Sequence, residues 1–137
     1  RRGPPPKVAA VMNLLSSIPG ADLARYRATA QQREAARQAA LEAHRARALA
    51  VARSAAHLLR QDFDATTVRL FGSLARGGPV RLHSDVDLAV RDLAPDRFLV
   101  AVGRLQALDA AIAVDLVRLE EAPLPLRAVI EREGVDL

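Results

Sequence analysis

A chain of 137 residues and 14.7 kDa, half of it hydrophobic and a quarter charged, has room for one domain with an appended element and excludes a multidomain machine. With no cysteine there are no disulfides, thiolate nucleophiles or cysteine-ligated metals, and with no apolar run long enough for a membrane span the composition points to a soluble cytoplasmic protein. Only 3% of the residues are aromatic and none is tryptophan, which argues against base stacking on single-stranded nucleic acid.

The net charge of +4 conceals an asymmetry. Residues 1–60 carry 11 basic and 3 acidic side chains, whereas residues 61–137 carry 9 basic and 13 acidic ones. Lys7 is the only lysine, and alanine and arginine are abundant throughout, so a compositional bias accounts for the high isoelectric point and makes it weak ground for nucleic-acid binding.

Residues 1–20, with Pro4, Pro5, Pro6, Pro19 and two glycines, read as a poorly ordered lead-in in which Met12 is a candidate start. Asp22 offers a helix cap. From Leu23 to about Arg60 there is no Gly or Pro, and strong helix formers dominate, which predicts one long helix over 21–62 or two with a break. Leu41, Ala48, Ala52, Ala55 and Leu59 form a stripe fit to pack on a core, whereas no large apolar residue lies between Arg27 and Ala40. Asp62-Phe63-Asp64 reads as the turn that ends the helix.

From residue 63 to 137 short β-branched runs alternate with Gly, Pro and Asp. Strands are predicted at 66–71, 85–91 and 111–119, with a loop and one helical turn over 72–84. Helices are predicted from Pro95 to about Ala110, carrying Phe98, Leu99, Val102, Leu105 and Leu108 on one face, and from Leu126 to Glu133. The order describes a small α/β (α+β) domain behind a long helix.

The chemistry concentrates in Phe71-Gly72-Ser73-Leu74-Ala75-Arg76-Gly77, an eleven-residue interval over 74–84, and Ser84-Asp85-Val86-Asp87-Leu88. Strand alternation puts Asp85 and Asp87 on one face, where two carboxylates repel unless a hard cation such as Mg²⁺ joins them. Gly72 and Ser73, at a strand-to-turn junction, offer backbone N–H groups and a hydroxyl to phosphate oxygens, and Arg76 in the same loop can add charge. His44 and His57 lie thirteen residues apart in the helix, too far to share a metal, and read as solvated or partly packed; His83 reads as a loop residue. Arg25, Arg27, Arg33, Arg37, Arg45 and Arg47 read as a solvated face that an RNA or an acidic partner would fit.

The combined motif resembles the signature of the polymerase-beta-like nucleotidyltransferase superfamily, and within it the minimal nucleotidyltransferases that pair with HEPN-domain proteins in toxin–antitoxin modules. The resemblance covers about residues 64–137, with an interval before Asp85 about one residue longer than is usual. It implies a small mixed sheet, a third acid at Asp115, and two Mg²⁺ ions held by Asp85, Asp87 and Asp115. It also implies ATP phosphates held by Gly72, Ser73, Arg76 and Ser84, and transfer of AMP to a hydroxyl of a HEPN toxin, with tyrosines as acceptors. A non-catalytic antitoxin of the same fold and nucleotidylation of a small molecule such as an aminoglycoside are the competing readings. Because residues 21–50 have strong helix propensity and few large apolar side chains, they are expected to serve assembly, as homodimer or toxin complex.

Overall fold

The computed structural model describes residues 19–77 and 85–137. The lead-in over 1–18 with Met12, and His83, Ser84 and the Gly78-Pro79 insertion, lie outside the described residues.

Helix α1 (Gly20–Phe63) is unbroken over 44 residues, as the absence of Gly and Pro from its interior allows. It starts before the expected cap. The Leu23 N–H donates to the Pro19 carbonyl at 2.9 Å, which places Asp22 inside the first turn, bonded to Arg25 at 2.7 Å. An acid there still complements the positive end of the helix. At the other end Asp64 takes φ 59° and the Ala65 N–H returns to the Leu59 carbonyl at 3.1 Å, a left-handed stop that satisfies a terminal carbonyl.

The chain forms two compact units, one through Leu41 and one from Glu42 onward. In the first, every side chain from Ala24 to Leu41 is exposed, and the ion pairs Asp22–Arg25 and Glu34–Arg37 lie one turn apart, each at 2.7 Å. The Arg37 guanidinium and the Gln38 amide hold the Glu34 carboxyl down at about 2. Leu41, expected in the buried stripe, is exposed.

The second unit contains the rest of α1 and a four-stranded sheet in the order β3-β2-β1-β4. Its elements are β1 (Thr67–Phe71), a five-residue helix α2 (Gly72–Arg76), β2 (Val86–Arg91), a 3-10 turn (Pro95–Arg97), α3 (Phe98–Gln106), β3 (Val114–Arg118), a 3-10 turn (Leu119–Glu121), α4 (Leu124–Glu133) and β4 (Val135–Asp136). β1 is antiparallel to β2 and β4, and β2 is parallel to β3. The sheet is therefore mixed, as expected of a small α+β domain behind a long helix. Among the described residues no helix is long and apolar enough to cross a membrane.

Period-two alternation gives the sheet two apolar faces. Val68 and Leu70, Val86, Leu88 and Val90, and Val114 and Leu116 join Ala48, Ala52, Ala55 and Leu59 of α1 and Ala101 and Leu105 of α3 in the main core. Alanines at these α1 positions let the helix backbone lie close to the sheet. On the opposite face Phe71, Ala89 and Val117 meet Leu126 and Ile130 of α4.

Three expectations are corrected. α3 stops at Gln106 rather than near Ala110, because the Asp109 carboxylate takes the Ala111 N–H at 2.9 Å, a local bond that competes with helical pairing. Leu99 is 80% exposed and Leu108 partly so, while Ala101 takes the buried place. β3 is correspondingly shorter than 111–119. The two-residue β4 was not expected; Arg69 of β1 holds it through Asp136 at 3.0 Å and the Gly134 carbonyl at 2.7 Å. A Cβ at Gly134 would lie 2.7 Å from the Arg69 Nε.

Candidate active site

The site begins where β1 turns into α2 without a spacer. Gly72 takes φ +76°, and a Cβ built on it would lie 2.3 Å from Asp87 Oδ2. Only a residue lacking a side chain lets the loop backbone and this carboxylate approach so closely. The first N–H groups of so short a helix have no partner within it, and no side chain caps this end of α2. Ser73 follows, the one buried polar residue among the described ones.

Asp87 sits in β2 opposite Phe71 of β1 and level with Asp115 of β3. Residues in register on neighbouring strands project to the same face, so these two acids stand beside each other, Asp87 half-buried and Asp115 exposed. Asp85 occupies the bend just ahead of β2, where strand alternation no longer governs its side chain. Its Oδ2 accepts the Ala113 N–H at 2.9 Å and its Oδ1 accepts from His44 Nε2 at 2.9 Å.

That contact gives His44, expected to be solvated or partly packed and here partly buried, a partner at the site. His44 precedes Ala48 and Ala52 at four-residue steps, so the apolar stripe of α1 continues through it toward the acid; the spacing held the signal. Its neighbour Arg45 donates to the Leu74 carbonyl of α2 at 2.9 Å. His57 has no such role: it lies on the surface of α1. Arg76 is bonded to Glu133 of α4 at 3.1 Å, so a phosphate reaching for it competes with that carboxylate.

Among the described residues no three His, Asp or Glu side chains converge tightly enough to hold a metal unaided. The donors nevertheless fit Mg²⁺. This ion is ordinarily held by one or two carboxylates with substrate phosphates completing its shell, and here Asp87 and Asp115 lie level with each other, Asp87 against Gly72 at the start of α2.

No protein-family model matches the sequence, and neither does any curated protein. Solved structures do. A toxin–antitoxin structure with AMP-PNP matches at 27% identity and TM-score 0.50, covering 58% of this chain and 66% of that one. A variant of the toxin–antitoxin MntA-HpeT matches at 29% identity and TM-score 0.49, covering 59% and 66%. The structure of a candidate minimal nucleotidyltransferase matches at 37% identity and TM-score 0.49, covering 71% of this chain and 95% of that one. The chain thus spans just under two thirds of the toxin–antitoxin chains it matches.

Proposed function

Because this chain belongs to the minimal nucleotidyltransferase family, at 37% identity over 95% of a relative, we propose that it moves AMP from ATP to a hydroxyl of a partner protein. The partner in this reading is a HEPN-domain toxin of the cytoplasm, which the modification neutralises. The observation that carries the reading is the seating of the Asp87 carboxylate against Gly72, at the start of the phosphate-facing loop and level with Asp115. The AMP-PNP in the toxin–antitoxin neighbour supports a nucleotide as the donor.

In this scheme the first N–H groups of α2 and the Ser73 hydroxyl hold the terminal phosphates. Asp87 faces the bridging phosphates, Asp85 is the acid just ahead of the strand, and Asp115 draws the proton from the attacking hydroxyl. The new bond joins that oxygen to the α-phosphorus, and the bond to the β-phosphate oxygen breaks, releasing pyrophosphate. When bound at these carboxylates, Mg²⁺ supplies charge neutralisation on the phosphates and a lowered pKa for the hydroxyl. Positioning and charge suffice for such a transfer, which accords with a site free of cysteine.

One observation favours a second reading, neutralisation by contact alone: the Asp85 oxygens already accept from His44 and from the Ala113 N–H. The two readings part on one substitution. Asp87→Asn is nearly isosteric; it is expected to keep the fold and to abolish transfer of label from α-³²P-ATP to the co-expressed partner. Loss of label together with loss of neutralisation supports the enzyme. Retained neutralisation by Asp87→Asn would make catalysis dispensable, and retained labelling would remove Asp87 from the site.

A further inference from the structure

We infer that His44 is a positioning residue for Asp85, and that helix α1 is therefore part of the metal–nucleotide site rather than a support behind it. The inference rests on the site reading above. Asp85 stands in a bend, where nothing in the strand ladder fixes its carboxylate, yet each of its oxygens has a donor: Ala113 N–H on Oδ2 and His44 Nε2 on Oδ1, both at 2.9 Å. One bond per oxygen fixes the plane of the carboxylate and leaves each oxygen further lone pairs for a cation. Removing one donor frees that rotation. Groups that orient a carboxylate ligand in this way are worth about 10- to 100-fold in metal affinity.

The placement is not an accident of one flexible side chain. His44 lies on the helix face that descends through Ala48, Ala52 and Ala55, all fully buried against the sheet, so the height of the imidazole above Asp85 is set by core packing. Arg45, the next residue, grips the Leu74 carbonyl in α2 at 2.9 Å. Consecutive residues of one helix turn thus hold the first acid and the phosphate loop. The His44 side chain is 37% exposed, so its substitution leaves the core intact.

The test is a Mn²⁺ titration by electron paramagnetic resonance in the presence of α,β-methylene-ATP, which cannot release pyrophosphate, on full-length protein. His44→Ala and His44→Leu, the latter keeping bulk without a donor, are expected to weaken Mn²⁺ binding about 10-fold, and His44→Gln, which retains a donor at similar reach, to stay within about twofold of wild type. Asp87→Asn serves as the reference. Wild-type affinity in the alanine and leucine variants, with Asp87→Asn impaired, would overturn the role of His44 and leave the site reading standing. Equal weakening in the glutamine variant would overturn it too, by making shape rather than the donor the cause. Undiminished binding by Asp87→Asn would overturn the site reading and this inference with it.

Discussion

Gly72 and Asp87 depend on each other. The space a β-carbon would need at residue 72 is taken by Asp87 Oδ2 at 2.3 Å, and the backbone there is left-handed, so Gly72→Val meets two independent obstacles. Backbone strain alone is expected to cost about 1–3 kcal/mol, readable in urea denaturation, and displacement of the carboxylate should cost ATP use as well. Ser73→Ala removes only a hydroxyl and is expected to raise the apparent KM for ATP with little change in stability. If neither variant alters ATP affinity, the phosphate role of this loop is wrong. These residues were legible because their spacing is itself a motif, with Gly, Ser and two alternating acids at fixed positions. His44 was not legible in the same way, because its partner lies 41 residues away in sequence and only the core packing of α1 brings them together. The strand bound was off by one residue at Asp85, since the strand begins at Val86.

At the scale of elements, most of the order was legible: one long helix, three strands and two later helices follow from propensity and periodicity. The boundaries were decided by contacts that no periodicity encodes. α3 ends early because Asp109 takes a local N–H, and β4 exists because Arg69 reaches across to it. Asp109 also pairs both its oxygens with the Arg47 guanidinium, tying α1 to the turn after α3. The Arg47 hydrogen bonds first, and the Ala111 N–H second, hold the Asp109 carboxyl below its ordinary value. A carboxylate whose folded pKa is lowered stabilises the fold above its unfolded pKa, near 4, and the contribution is lost as the pH falls through the folded value. Melting temperature measured from pH 6 down to pH 2 should therefore fall more steeply in the wild type than in Asp109→Asn. Parallel curves would show that the pair contributes nothing measurable, as exposed pairs sometimes do.

For the whole molecule, the division at Leu41 and Glu42 separates two kinds of helix within α1. From Ala24 to Leu41 every side chain is exposed, Tyr26 by 61%, and arginines are interspersed with alanines. From Ala48 onward the same helix is part of the core. Propensity alone does not hold an exposed stretch of this length firmly in water, and a partner that orders it would be met by small side chains and positive charge. We therefore predict that residues 1–41 serve assembly more than the stability of the sheet unit. A chain beginning at Glu42 retains His44, Arg45 and every core residue of α1, so it is expected to melt within a few degrees of the full chain and to bind ATP with unchanged affinity. Its association with a second copy or with the partner protein, measured by light scattering, is expected to be lost. A chain beginning at Ala48 lacks His44, Arg45 and Arg47 and should lose nucleotide binding as well, although its core alanines and Leu59 remain. Undiminished association in the chain that begins at Glu42 would return the first half of α1 to a solvated extension, with no part in recognising a partner.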